Sequence, residues 1–441
     1  MRKFWIGYWF KNWYFAYKIA YAIVIIGSRT YFKKFKYQGK EKIPKNAGII
    51  YAVNHQNAFL DAIVIATQTD APLNFLARAD IFKKKIANKI LRNFYMLPVY
   101  RQRDGVNTIE KNKITFDDCH EILNQKGNLV IFPEGNHNYK KTLRPLKKGL
   151  ARIALGTLSK FGKETPLYII PLGIDYESHF KMNSDILLNV GEPIKVSDHY
   201  SKFIENSVDA INKLTLKIAE DLESLIINIQ DIENYDELYY LLHGFPFLEK
   251  NQDPKRKFDL RKEKLIKAES LSTQNPEDYK NIITDVKIVK SFMSKHEIKP
   301  YLINKPPSSY LVLVVLSLIL LLLSPFHLIG LVTNYIPYKI PVWFVENKIK
   351  DKHFHASLKQ AMGVLLFIFY WLLITLSITI FKDWSYGIIF LLIAPIIAMV
   401  NFRYWIILIK VKARWNYKSA SKNDEFERTK EAFDRVQKKF S

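Results

Sequence analysis

Histidine is the side chain that most readily moves a proton near neutral pH, and a carboxylate that fixes its tautomer makes it a better base. The stretch Asn54-His55-Gln56-Asn57-Ala58-Phe59-Leu60-Asp61 offers such a pair in His55 and Asp61. Side chains six positions apart on one helix point in different directions, so the pair can meet only if His55 lies in a loop ahead of the helix carrying Asp61. Downstream, Pro98-Val99-Tyr100-Arg101-Gln102-Arg103 carries the guanidiniums of Arg101 and Arg103, suited to bidentate phosphate binding; a solvated basic turn is the plain alternative. In Pro133-Glu134-Gly135-Asn136-His137-Asn138, Glu134 can accept from a substrate hydroxyl, orient Arg101, or form a structural salt bridge, and Gly135 permits close backbone approach. No acidic residue occurs from Gly135 to Gly162, whereas Lys140, Lys141, Arg144, Lys147, Lys148 and Arg152 do. That run suits an anion, with Lys147 and Lys148 as further expected substrate contacts.

These clusters need elements to hold them. Ile49 to Val53, Leu129 to Phe132 and Tyr168 to Ile170 read as buried strands, each ending where a polar cluster begins. The third is followed by Pro171-Leu172-Gly173-Ile174-Asp175. Residues 57–69, 80–93, 107–125 and 147–161 read as helices. The alternation predicts an α/β domain with a mostly parallel, covered sheet, and in such sheets ligands gather beyond the carboxyl ends of the strands. Residues 203–231 and 255–303 read as charged helices.

At 441 residues the chain is too long for one core and predicts two or three domains. The 66 Lys and Arg against 42 Asp and Glu leave +24, a field that attracts nucleic acid, anionic lipid or a phosphorylated substrate. Cys119, the single cysteine, excludes an internal disulfide and fits a reducing compartment. His353 and His355 form a lone His-x-His, and His137 also lacks acidic company, so no metal is expected.

Between Lys305 and Lys339 there is no formal charge, and Tyr310 to Leu323 is apolar apart from Ser317. Gln360 to Phe381 and Trp384 to Phe402 follow as further uncharged stretches of bilayer-spanning length. Membrane insertion leaves anionic lipid and a phosphorylated substrate as the anionic partners, and nucleic acid is not expected. Three simple spans would place the basic segment 339–359 and the tail 410–441, with ten Lys or Arg against five acids, on the side opposite the catalytic region. That conflicts with the tendency of basic segments to stay cytoplasmic. A re-entrant first element bent at Ser324-Pro325, with Pro337 and Pro341 at its exit, and a hairpin turning at Lys382-Asp383 keep every basic segment on one side. At the N-terminus Trp5, Trp9, Trp13, Tyr17 and Tyr21 share one helical face and Lys3, Lys11 and Lys18 another, as in an interfacial helix; a core helix is the bland alternative. The expected domains are an interfacial helix over 1–32, a catalytic domain over 33–232, a helical linker over 233–308, a membrane domain over 309–410 and a basic cytoplasmic tail over 411–441.

The order of the clusters resembles the glycerolipid acyltransferase family, which includes lysophosphatidic acid and glycerol-3-phosphate acyltransferases. Asn54 to Asp61 matches its N-H-x-x-x-x-D block, Pro98 to Arg101 its arginine block, Phe132 to Gly135 its F-P-E-G block and Ile170-Pro171 its V-P block. The resemblance covers about residues 35–200. Two departures stand out. Five residues separate His55 from Asp61 where four are common, and His137 stands where Arg often follows F-P-E-G. Both features are similar to fungal-type glycerol-3-phosphate or dihydroxyacetone-phosphate acyltransferases.

The resemblance implies transfer of a fatty acyl group from acyl-CoA or acyl-carrier protein to a hydroxyl of glycerol-3-phosphate or 1-acylglycerol-3-phosphate. His55 would be the general base and Asp61 its partner, with Asn54, Arg101, Arg103, Glu134, Gly135, Lys147 and Lys148 around the substrate. No cofactor is expected beyond the thioester co-substrate, and Cys119 is not needed as a nucleophile. The expected partners are the acyl thioester donor, with acyl-carrier protein as one form of it, a phosphorylated glycerol or lysolipid acceptor, and anionic membrane lipids. The expected place is an integral membrane protein with its catalytic domain on the cytoplasmic face. Another lysolipid acceptor such as an aminolipid, a transacylase, and an idle lipid-binding scaffold are the rival readings.

Overall fold

Strand β2 (Gly48–Val53, GIIYAV) is buried at every position, as a strand covered on both faces must be. Ile50 and Ala52 join one apolar cluster and Ile49, Tyr51 and Val53 the other, so the pleat feeds two cores. The computed structural model describes residues 21–68, 72–100, 107–247, 252–351 and 354–441. It divides into two compact units, Met1–Asn228 with Asp351–Ser357, and Ile229–Lys350 with Leu358–Ser441.

In the first unit a helix over residues 21–31 (α1) precedes β1 (Phe35–Gln38). After β2 come α2 (Ala58–Ala66), β3 (Leu73–Arg78), α3 (Lys85–Asn93), β4 (Met96–Val99), α4 (Thr108–Asn124) and β5 (Asn128–Ile131). Then follow α5 (Gly149–Phe161), β6 (Leu167–Tyr176), β7 (Ile186–Val190), β8 (Ile194–Lys195), α6 (Tyr200–Glu205) and α7 (Ser207–Leu225). The sheet order is β1-β7-β6-β2-β5-β3-β4, with β8 on β6. All pairs are parallel except β6 with β7 and β6 with β8. Helices α4, α5 and α7 cover one face; α2 and the segment after α1 cover the other. The expected mostly parallel, covered α/β sheet is what forms. The five strands β1, β3, β4, β7 and β8 add to the three read from the sequence. Strand β6 runs through Pro171 to Tyr176 instead of ending at Ile170, because Gly191 N–H bonds the Pro171 carbonyl and Pro171 stays in register with Ala52. Residues 1–20 of the expected interfacial helix lie outside the described residues, as do Arg101 and Arg103.

The second unit takes in the segments read from the sequence as linker, membrane part and tail. Helices α8 (Tyr235–Gly244), α9 (Pro254–Gln274), α10 (Pro276–Lys295) and α14 (Asp424–Phe440) belong together. Asp253 before Pro254 and Asn275 before Pro276 cap the second and third of these, proline at the first helical turn being preset for it. The tail helix docks because it has an apolar face: Phe426, Phe433, Val436 and Phe440 are buried, and Phe433 stacks on Phe245 with centroids 5.1 Å apart. Arg435 forks onto Asp285 at 2.7 and 2.8 Å.

Helices α11 (Tyr310–Lys348), α12 (His355–Phe381) and α13 (Trp384–Ala420) are each long and apolar enough to cross a membrane. Ser317 bonds Trp415 and His327 bonds Asn401, so the first half of α11 is antiparallel to α13. Asn334 meets Trp371 and Glu346 meets Lys359, so its second half is antiparallel to α12. Yet Gly387 of α13 lies against Thr375 and Thr379 of α12. With a rise of about 1.5 Å per residue, a straight α11 would hold those residues about 20 Å apart, so α11 bends. Its internal Pro325, Pro337 and Pro341 supply the cause, each removing a backbone hydrogen bond. The element that the sequence predicts to bend at Ser324-Pro325 is one continuous helix with all three prolines inside it. Its first end lies beside the end of α13, with Tyr310 near Trp415 and Lys418, and its last turns beside the start of α12, with Glu346 on Lys359.

Candidate active site

Parallel strands β2 and β5 end side by side, Ala52 level with Ile131, which brings the polar clusters after them together. His55 lies in the loop ahead of α2 and Asp61 in that helix's first turns, the arrangement the six-residue separation demands. His55 Nδ1 is 2.8 Å from Asp61 Oδ2, and the same oxygen accepts the backbone N–H groups of Gln56 and Asn57, each at 2.8 Å. Asp61 is fully buried and binds donors that would otherwise lack partners at the helix start. Ala58 closes this tight entry with φ of 41°, an unusual angle for a residue with a Cβ and the local strain that accompanies five intervening residues.

The other carboxylate oxygen, Oδ1, accepts from the Tyr176 hydroxyl at 2.7 Å. Burial, with Asp61 beside it, pushes this phenol well above its ordinary value, so it remains a donor. Below it, buried Lys141 donates to the Asp175 carboxylate and to the Tyr176 carbonyl. Lys141 therefore leaves the expected anion-binding run and acts as an internal brace. His179 faces Gln56 Oε1 at 2.9 Å; burial, then Lys141, drives it well below its usual value, so it donates as a neutral imidazole.

Glu134 points at the His55 loop. Its Oε1 accepts the His55 N–H at 2.7 Å and its Oε2 accepts the Arg144 N–H at 3.2 Å, with the Arg144 guanidinium 3.4 Å away. Burial raises this carboxyl above its ordinary value, against the pull of those donors. Of the alternatives for Glu134, the structure displays a brace and ion pair. Gly135, at φ of 71°, turns the chain under Lys147, whose Cγ lies 3.3 Å from where a Cβ would sit. Lys147 and Lys148 are exposed beside that turn.

Asn54 departs from expectation. Its amide donates to the Ile174 carbonyl at 3.0 Å and accepts the Ile174 N–H at 2.7 Å, so it ties the end of β2 to β6 instead of facing a substrate. Cys119 is buried in α4 and burial pushes its thiol up, which makes it a core residue. The His55 ring stacks on Phe132 with centroids 4.0 Å apart and meets the edge of His137 at 5.4 Å. Sequence reasoning passed over Tyr176 and His179, read Lys141 and Arg144 only as part of the basic run, and read Phe132 only as the start of the F-P-E-G block. The one available signal was the apolar alternation Ile170, Leu172, Ile174, Tyr176, which carries the strand past its proline.

His55 after a strand end, held by buried Asp61 and with exposed Lys147 and Lys148 in the neighbouring loop, is an arrangement able to move a proton near an anion. Residues 34–175 match the Acyltransferase family. Glycerol-3-phosphate O-acyltransferase 2 of Saccharomyces cerevisiae is 34% identical over 128 residues, 29% of this chain and 17% of that protein. Glycerol-3-phosphate O-acyltransferase 1 of the same yeast is 31% identical over 116 residues, 26% of this chain and 15% of that one. The matched segment thus spans under a fifth of these relatives' length. The crystal structure of the 1-acyl-sn-glycerophosphate (LPA) acyltransferase PlsC from Thermotoga maritima aligns with 50% of this chain and 89% of its own, at 19% identity and a TM-score of 0.35. Residues 34–175 are thus similar to the Acyltransferase family, and within it to segments of the yeast glycerol-3-phosphate O-acyltransferases.

Proposed function

We propose that this protein is a membrane-bound acyltransferase that moves a fatty acyl group from acyl-CoA or acyl-carrier protein to the hydroxyl of glycerol-3-phosphate, with 1-acylglycerol-3-phosphate as the alternative acceptor. The observation that carries the reading is the 2.8 Å contact between His55 Nδ1 and buried Asp61. It keeps the proton on Nδ1 and leaves Nε2 to act as base. Nε2 takes the hydroxyl proton as the oxygen attacks the thioester carbonyl. The tetrahedral intermediate then collapses, the C–S bond breaks, and the imidazolium returns the proton to the leaving thiolate. Activation comes from the thioester itself, and no cofactor enters. Lys147 and Lys148 beside Gly135 would meet the acceptor phosphate, and Arg101 and Arg103 keep the role the family resemblance implies for them. The likeness to the yeast glycerol-3-phosphate enzymes supports the soluble acceptor.

We place the catalytic unit on the cytoplasmic face, in contact with anionic lipid. The support is the excess of basic residues in segments 339–359 and 410–441, which the bend in α11 allows to lie on one side, where the tendency of basic segments to stay inside acts on both. The test is acyl transfer by purified protein, wild type and His55→Ala. Labelled acyl-CoA and acyl-carrier protein are each offered with glycerol-3-phosphate, dihydroxyacetone phosphate and lysophosphatidic acid. The expected loss is at least about 100-fold, typical for removal of a general base. Product from wild type that survives His55→Ala would overturn the mechanism, and no product with any acceptor would favour another lysolipid or the idle scaffold.

A further inference from the structure

Residues Asp351–Ser357 lie in sequence at the junction of α11 and α12, yet they belong to the catalytic unit. Two of their side chains reach His137. The Asp351 carboxylate is 4.0 Å from His137 Nε2, and the Phe354 ring meets the His137 ring edge-on at 4.7 Å. Phe354 also lies 6.1 Å from Phe59, a large apolar side chain that is 44% exposed in the first turn of α2. His137 in turn borders His55. The strap therefore extends an aromatic wall, Phe132, His137, Phe354 and Phe59, outward from the base.

This wall and the cationic corner at Gly135 offer different chemistry. Lys147 and Lys148 supply charge for a phosphate, whereas Phe354 and Phe59 supply rings with no donor for one. A largely apolar wall, half-buried at Phe132 and Phe354 and exposed at Phe59, that begins beside the His55 ring fits a methylene chain attached to the reacting carbonyl.

Resting on the proposed acyl transfer, we infer that the strap between α11 and α12 lines the path of the fatty acyl chain, with Phe354 as a residue that determines chain-length specificity. A fatty chain could come from the donor or from a lysolipid acceptor, and the assay separates them. Phe354→Ala and Phe354→Leu are compared with wild type using palmitoyl and butyryl thioesters, each with glycerol-3-phosphate and with lysophosphatidic acid. The preference for palmitoyl over butyryl donor, as the ratio of kcat/KM values, should fall about 10-fold in Phe354→Ala, the order expected for losing part of one aromatic contact, and Phe354→Leu should recover most of it. A loss confined to lysophosphatidic acid with either donor would assign the wall to the acceptor's chain. Equal loss in every combination, or none, overturns the inference. A palmitoyl thioester analogue bearing a terminal diazirine gives a readout that needs no turnover. Photolabel on peptides containing Phe59 or Phe354 supports the strap, and label only elsewhere refutes it. Absence of acyl product from wild type would sink the proposed reaction while leaving the labelling result to decide the strap.

Discussion

Tyr176→Phe removes one oxygen atom and little else. The ring is fully buried, and its packing near Phe32, with centroids 6.1 Å apart, survives the change. What disappears is the 2.7 Å hydrogen bond to Asp61 Oδ1, a donor to a carboxylate in a site without solvent on either side. A hydrogen bond to a charged group contributes about 1.5–3 kcal/mol, and both partners are fully buried, so stability should drop by about 2 kcal/mol. Oδ2 keeps its three donors, including His55, so Asp61 stays in place but can rotate about its remaining anchor. We expect kcat to fall about 10-fold with acceptor KM little changed, less than the loss on removing the base itself. The assay is denaturant unfolding in detergent beside steady-state acyl transfer. A cycle with Asp61→Asn tests coupling: once the carboxylate is gone, Tyr176→Phe should cost much less. Full stability and full kcat in Tyr176→Phe would refute the buried three-residue arrangement of His55, Asp61 and Tyr176.

Glu134→Gln separates a brace from a substrate contact: we expect kcat to fall about 10- to 100-fold through a displaced His55 loop, with acceptor KM steady, whereas a rise in acceptor KM alone would mean that Glu134 binds the hydroxyl. Because burial depresses His179, the unfolded chain takes up a proton that the folded one refuses. That contribution to stability is present above the ordinary imidazole range, near about pH 6.5, and is lost as pH falls below it, by up to about 1.4 kcal/mol per pH unit. His179→Gln should flatten the slope of stability against pH between about 6.5 and 5, and identical slopes in variant and wild type would contradict the neutral assignment. For the bundle, Cys119 is buried, so single cysteines report cleanly. In sealed vesicles Lys350→Cys and Lys418→Cys should react with an impermeant maleimide from the same side, and labelling from opposite sides would disprove the bent α11.

Much of the chemistry was legible because it is local. His55 and Asp61 are six positions apart, next to a strand whose unbroken apolar run announces it, and the geometry of a helix start leaves them one way to meet. The uncharged stretches were equally plain, since composition alone decides what a bilayer accepts. Asp253-Pro254 and Asn275-Pro276 mark helix starts by chemistry that acts within a turn.

Other features depend on partners far along the chain. Tyr176 lies 115 positions from Asp61, and Glu134 lies 79 positions from His55. No local pattern says which buried phenol will face which carboxylate, because the register of β6 against β2 sets that. The same pairing turned Asn54 from a presumed substrate contact into a tie to Ile174, and Lys141 from a surface cation into an internal ion pair. The strap with Phe354 sits among residues that read as membrane connection, and only folding returns it to His137. Side-chain type and short spacing determine what chemistry and which elements a segment can support. Which of those side chains meet, and which are used up holding the frame, is decided by strand register and helix packing, where contacts distant in sequence compete for the same buried space.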